Sequence, residues 1–238
     1  MISIIIPSLN EGKVLSRTLN GIFSQTYKNV EVILINDAST DTTDEVVKPF
    51  LDRIIYIKHE KNLDRQTSRN EGIAVSKGEY IFVCDADIVM QSDCLEKMAG
   101  VLEKNPEYSF VYSGFKWEWK VFKSFSFDVQ LLRKMNYINT ASLVRREHHP
   151  GFDVAIRKFQ DWDVWLTMIE QGRKGYYIPE VLFSIGENLD RPIQAGLSRW
   201  LPQIAYKIPW NRFGIRIAAI EKYKAAQEVM RKKHSLDI

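Results

Sequence analysis

Residues 80–90 read YIFVCDADIVM, and the fold turns on how this stretch is understood. The apolar run Tyr80-Ile81-Phe82-Val83-Cys84 has the character of a buried strand. It is followed at once by Asp85 and Asp87, and carboxylates at the end of a buried strand are costly unless positive charge meets them. That charge is supplied either by Arg or Lys, or by a divalent cation.

Working outward, strand-like runs recur at 2–6, 30–35, 53–57 and 80–84. Helical patterns separate most of them. Val14, Leu15, Thr18, Leu19, Ile22 and Phe23 share one helix face. Thr42-Thr43-Asp44-Glu45 has the form of a capping box opening a helix through Val46, Val47 and Phe50. A third, short helix is expected from Arg69 to Ser76, ending near Gly78. Strands alternating with helices predict an α/β fold with a mostly parallel sheet flanked by helices on both faces. Past residue 105, Tyr108–Tyr112 and Ala141–Arg145 read as further strands with an aromatic-rich segment between them. Asp161–Gln171 reads as a helix, with Trp162, Trp165, Leu166 and Ile169 at helical spacing and Gly172 as its stop.

The 238 residues suffice for one large domain with an appendage, and 45% of them are apolar. A net charge of +3 gives no indication of nucleic acid as a partner. No apolar run has the length of a membrane span, and no signal-peptide pattern opens the chain. Cys84 and Cys94 lack a CxxC spacing and are expected as reduced thiols in a cytoplasmic protein. Residues 186–198 read as a linker. Between Arg199 and His234 there are nine Lys or Arg and two Glu, mixed with Trp200, Tyr206, Trp210 and Phe213. The chain therefore divides into a domain at 1–185 and a linker with a basic, aromatic, helical extension at 186–238. That extension suits peripheral contact between 199–234 and an anionic membrane face, or packing on the domain or on a second subunit.

Ligands of parallel sheets bind beyond the carboxyl ends of the strands. Here those ends are Pro7-Ser8-Leu9-Asn10-Glu11, Asn36-Asp37-Ala38-Ser39-Thr40-Asp41 and Asp85-Ala86-Asp87. No GxGxxG follows the first strand and no GxxxxGK[ST] occurs, so dinucleotide and P-loop sites are excluded. An edge rich in carboxylates accepts a diphosphate when Mg²⁺ or Mn²⁺ sits between them. A second Asp-x-Asp, Asp161-Trp162-Asp163, opens a helix, where residues two apart do not share a face; after a strand, alternation puts both on one side.

The segments SIIIPSLNE, VILINDASTD, SRNEGIAVSKGEYIFVCDAD and DWDVWLTM, in this order, resemble an inverting family 2 glycosyltransferase with the GT-A fold over roughly residues 1–185. The resemblance implies a Rossmann-like nucleotide-sugar-binding domain. It implies transfer from a donor, most often a UDP-sugar, to an acceptor hydroxyl on a glycan or lipid-linked saccharide, assisted by Mn²⁺ or Mg²⁺. By the same resemblance Pro7, Ser8, Asn10 and Glu11 line the nucleotide pocket, and Asp37 accepts a hydrogen bond from the base. Arg69 lies near base and phosphates, Asp85 faces the ribose and metal side, Asp87 holds the metal, and Asp161 is the general base. The location implied is cytoplasmic, at or near the inner membrane face.

Two departures stand out. Gln160 replaces the Glu that usually precedes the catalytic Asp. Residues 184–198 contain no His to serve as a further metal ligand. Plainer readings exist for several residues: Asp161 as a helix N-cap, Asp41 as a helix-start residue, Asp37 as a partner of Arg69, and the aromatics from Phe115 to Tyr137 as ordinary packing. His148 and His149 read as loop residues. A sugar-nucleotide pyrophosphorylase and an inactive nucleotide-binding scaffold are the alternative functions.

Overall fold

A computed structural model of the chain describes residues 1–186 and 218–236. Four strands build the first half: β1 (Ile2–Ser8), β2 (Val30–Asn36), β3 (Ile55–Lys58) and β4 (Tyr80–Val83). They run parallel in the order β3-β2-β1-β4. The sheet continues through β8 (Leu143–Arg145), β6 (Phe110–Trp117), β9 (Gly175–Ile185) and β5 (Ile88–Met90), with β7 (Lys120–Phe122) paired, among the described residues, to β6 alone. Strand β8 enters antiparallel to β4, and β6 runs antiparallel to β8 but parallel to β9. The expected mixed, mostly parallel sheet is thus present.

Helices cover both faces because the strands are apolar on both sides. Ile2, Ile4 and Ile6 face one core with Leu15, Leu19 and Ile22 of α1 (Gly12–Phe23) and Leu95, Met98 and Leu102 of α4 (Cys94–Lys104). Ile5, Ile33, Ile35, Ile81 and Val83 face the other. There they meet Leu132 of α5 (Val129–Lys134) and Trp162, Trp165 and Leu166 of α6 (Gln160–Glu170). Helix α3 (Arg65–Val75) lies on this second face, closely enough that a Cβ on Gly72 would sit 2.4 Å from Ile5 Cγ2. Cys84 and Cys94 are buried and unbridged.

The structure differs from the sequence reading in element bounds, in caps and in elements not foreseen, helices α4 and α5 among them. Helix α3 begins at Arg65, not Arg69, because Asp64 caps it by accepting the Thr67 N–H at 2.9 Å. In α2 (Thr43–Val47) the capping-box bond does not form; Asp41 instead accepts the N–H groups of Thr43 and Gly12, each at 3.0 Å. Asp41 is a helix-start residue, as its plainer reading holds. Strands β5 and β9 are additions. Pro179 is accommodated in β9 because it falls where the β6–β9 register shifts between Ser113 and Gly114.

The expected linker from residue 187 onward, and the extension through 217, lie outside the described residues. Helix α7 (Ala218–His234) is described, and it packs on α6. Met230 and Leu236 are buried in the second core. Tyr223 meets the Phe159 ring edge-on at 5.2 Å. His234 is buried between Asp163, 2.8 Å from its Nε2, and Glu170, 2.9 Å from its Nδ1.

Candidate active site

The ends of β1, β2 and β4 deliver polar groups to one edge of the sheet. Pro7 and Ser8 are buried as the last residues of β1, where Ser8 C=O accepts the Asp37 N–H at 2.9 Å. Beyond them the chain turns at Asn10, whose φ is +55°. Asn10 Oδ1 accepts the Thr40 N–H at 2.8 Å and its own N–H donates to Ser39 Oγ at 2.9 Å. These bonds join the loop after β1 to the loop after β2.

Asp37 does not pair with Arg69. Its nearly buried carboxylate accepts the N–H groups of Leu63 at 2.8 Å and Asp64 at 3.1 Å. His59 Nδ1 lies 2.7 Å from Asp37 Oδ1, and His59 Nε2 lies 2.6 Å from Glu71 Oε2. Burial opposes a charged imidazole, but the two carboxylates outweigh it and raise the His59 pKa. Asp37 therefore fixes the turn that starts α3, and α3 carries the site's cations.

On α3, Arg65 and Arg69 are one turn apart and share a face. The buried Arg69 donates from Nη2 to Asp85 Oδ1 at 2.7 Å. The half-exposed Arg65 lies 4.0 Å from both Asp85 and Glu11. Burial disfavours a charged Asp85, yet the arginines prevail and lower its pKa. The question posed by YIFVCDAD thus has a structural answer for Asp85: its charge is met by arginine.

Asp87 follows on the short link into β5, and its C=O accepts the Gly186 N–H at 3.2 Å. Gly186 has a φ of +69°, and a Cβ there would lie 3.4 Å from Trp117 Nε1 and 3.9 Å from Asp87 Oδ2. Glycine lets the end of β9 pass close to this carboxylate.

Asp161 stands in the first turn of α6, two residues after the N-cap position, which Phe159 occupies at a φ of +63°. It is therefore not the N-cap. Its Oδ1 accepts the Trp162 N–H at 2.9 Å and its Oδ2 accepts the Asn136 amide at 2.8 Å. Burial raises its pKa, against the pull of these two bonds and of the positive Arg69. A small cavity beside it is lined by Thr140, Ser142, His149 and Phe152 among others. His149 accepts the Gly151 N–H at Nδ1, and burial together with Arg69 lowers its pKa to about 4, so it is neutral at pH 7. Arg69 acts electrostatically on Asp85, Asp161 and His149 alike, and its Nε is buried without a protein partner among the described residues.

Among the described residues no three His, Cys, Asp or Glu side chains converge as a metal cage. The oxygen donors of Asp85 and Asp87 suit Mg²⁺ or Mn²⁺, which take one or two carboxylates and complete their shell with substrate phosphates and water. The donor set fits a cation that arrives with a diphosphate.

Sequence reasoning missed Arg65, His59 and Asn136. Arg65 carried a usable signal in its spacing to Arg69. His59 and Asn136 reach their partners only through the tertiary fold, 22 and 25 residues away.

Comparison with known proteins follows this geometry. The model of glycosyl transferase family 2 matches residues 3–163. The glycosyltransferase GlyG of Streptococcus pneumoniae serotype 4 is 36% identical over 101 residues, which are 41% of this chain and 34% of GlyG. S. aureus TarS 1-349 in complex with UDP superposes with a TM-score of 0.67 at 16% identity, covering 77% of this chain and 59% of that one. The mannosyltransferase PcManGT from Pyrobaculum calidifontis, in complex with GDP-Man and Mn²⁺, gives a TM-score of 0.68 at 18% identity, covering 86% and 61%. The chain thus spans about three fifths of these solved chains and a third of GlyG.

Proposed function

Because this chain belongs to glycosyl transferase family 2, we propose that it is a glycosyltransferase that moves a sugar from a UDP-sugar to an acceptor hydroxyl on a glycan or lipid-linked saccharide, with inversion at the anomeric carbon. The observation that carries this reading is Asp161: a carboxylate held at both oxygens, raised in pKa and set near Arg69. An acceptor hydroxyl is a poor nucleophile and needs a positioned base, and a raised pKa makes a carboxylate a better one. Asp161 takes the acceptor proton as the acceptor oxygen bonds to the anomeric carbon. The bond from that carbon to the diphosphate oxygen breaks, and the nucleoside diphosphate leaves.

The other roles are those the family resemblance implies, and the clustering of these residues at one sheet edge supports them. Pro7, Ser8, Asn10 and Glu11 border the nucleotide, and Asp37 both anchors the turn before α3 and faces the base. Arg69 and Arg65 hold positive charge where the diphosphate becomes more negative. Asp87, with Asp85, would hold Mn²⁺ or Mg²⁺, which when bound neutralises charge on the leaving diphosphate. The UDP and the donor GDP-Man bound by the structural relatives are properties of those proteins.

A donor screen tests the proposal. UDP-sugars should release UDP with Mn²⁺ present, faster when acceptor is added, and the product should have the opposite anomeric configuration by NMR. Retention of configuration would remove Asp161 from the role of base in a single displacement.

A further inference from the structure

Six of the fourteen large apolar side chains left exposed among the described residues fall in one short segment. Trp117, Trp119, Val121, Phe125, Val129 and Met135 all lie within residues 117–135, and Trp119 is 84% exposed. The same segment is basic: Lys116, Lys120, Lys123, Arg133 and Lys134 outnumber Glu118 and Asp128.

Packing accounts for them only in part: Trp117 meets the Phe122 ring at 6.4 Å and Phe125 meets Tyr137 edge-on at 5.6 Å, yet both stay more than a third exposed. Phe122 stacks on Phe115 at 5.0 Å, and Phe115 stacks on Phe183 at 5.6 Å, so the base of the β6–β7 hairpin is secured to the sheet. Among the described residues strand β7 pairs only with β6, and it lies off the main path of the sheet. The turn at Glu118, with a φ of +52°, carries Trp119 out into solvent. Helix α5 turns Leu132 into the core and leaves Val129 exposed. The aromatic segment is thus divided: Phe115 and Phe122 pack, while Trp119 is presented and Trp117 and Phe125 are part-exposed.

We propose that the β6–β7 hairpin and helix α5 form a docking surface for the interface of an anionic lipid bilayer. Tryptophan settles where a membrane meets water, and lysine and arginine beside it reach acidic headgroups. A contact with a second protein copy is disfavoured by the lysines, which are depleted at protein interfaces. The contact is peripheral, since no described helix is long and apolar enough to cross a membrane. The segment ends beside Asn136, whose amide binds Asp161, so the docked surface adjoins the chain that orients the proposed base. The inference goes beyond the proposed function, because bilayer binding requires neither donor nor acceptor.

The experiment is co-sedimentation of the full chain with vesicles of phosphatidylcholine alone, and of phosphatidylcholine mixed with phosphatidylglycerol. The wild type should pellet with the mixed vesicles and be released by salt. Replacing Lys116, Lys120 and Lys123 by Gln should weaken binding about fivefold per charge removed. Trp119→Ser with Val121→Ser should weaken it roughly tenfold, since affinity scales with buried apolar area. All five side chains are at least partly exposed, and an unchanged melting temperature verifies folding. Equal binding to neutral vesicles, wild-type binding by both variants, or no wild-type binding would each overturn the proposal. So would light scattering showing a dimer that the Trp119 and Val121 changes dissociate, which would assign the surface to a second copy. Loss of activity without loss of vesicle binding in both variants would assign it to a soluble acceptor and overturn it as well.

Discussion

Arg69 Nη2 lies 2.7 Å from Asp85 Oδ1, and the same guanidinium also acts electrostatically on Asp161. One buried arginine therefore links the two carboxylates that bracket the proposed reaction, on the donor side and the acceptor side. Replacing it by Gln should destabilise the fold by about 1–3 kcal/mol, the cost of leaving a charged partner unmet. UDP affinity should fall with it, as read by calorimetry. Because Arg69 helps to restrain the Asp161 pKa, the acid limb of the rate profile should move to higher pH in any variant that retains activity.

Asp37→Ala should have two separable effects. It leaves the Leu63 and Asp64 N–H groups without their acceptor, so unfolding stability should fall by about 1–3 kcal/mol. It should also weaken UDP binding by about 1.5–3 kcal/mol if the residue faces the base. Stability loss with unchanged affinity for UDP, GDP and dTDP would leave Asp37 a purely structural role.

Asp87→Ala should abolish Mn²⁺-dependent UDP binding while leaving the melting temperature nearly unchanged, since the residue is only partly buried on a short link at the sheet edge. Calorimetry with and without Mn²⁺ separates the two. Equal Mn²⁺-dependent affinity in variant and wild type would place the cation elsewhere.

His234 should make the docking of α7 sensitive to pH. Burial opposes its charge, but the hydrogen bonds and charges of Asp163 and Glu170 outweigh it and raise its pKa above 6.5. A group with a raised folded pKa contributes its full stability below the unfolded value, and loses that contribution as pH rises through the folded value. The stability gap between wild type and His234→Gln should therefore be largest in mildly acidic solution and shrink on the alkaline side. Hydrogen exchange within 218–236 should quicken over the same interval. A pH-independent gap would show that the imidazolium does not hold the helix.

How much of this could be read beforehand follows a physical division. Features set by neighbours in sequence were legible: the strands expected at 2–6, 30–35 and 80–84, found at Ile2–Ser8, Val30–Asn36 and Tyr80–Val83, and the amphipathic faces of α1 and α6. So was the contrast between Asp85-Ala86-Asp87 after a strand and Asp161-Trp162-Asp163 on a helix. Features set by distant partners were not. Strand β5 has only three residues, and β9 carries a proline that argues against a strand until its bulge is seen. The guanidinium partner of Asp85 was anticipated in kind, as one of two ways to meet the charge. That Arg69 is the side chain meeting Asp85 required the fold. Residues 218–234 are helical as expected, and the burial of Met230 and Leu236 in the core that includes α6, with the His234–Asp163 contact, gives the packing alternative a specific contact.

The pH profile of transfer should also report on the base. Burial raises the Asp161 pKa, so its base form is lost at a higher pH than for an ordinary carboxylate near 3.9. The acid limb of kcat/KM should lie above that value. In Asn136→Ala, which removes the amide favouring the charged form, it should move further up. An acid limb unchanged by Asn136→Ala would disconnect that limb from Asp161.

The most direct test is transfer by Asp161→Asn, measured with a donor and acceptor that the wild type uses. The substitution preserves the side chain's size but cannot accept a proton. Transfer should fall by roughly 10²–10⁴, the usual contribution of a general base, while donor affinity and melting temperature stay close to wild type. Transfer within a few-fold of wild type, in a protein that binds donor normally, would contradict the assignment of Asp161 and with it the mechanism.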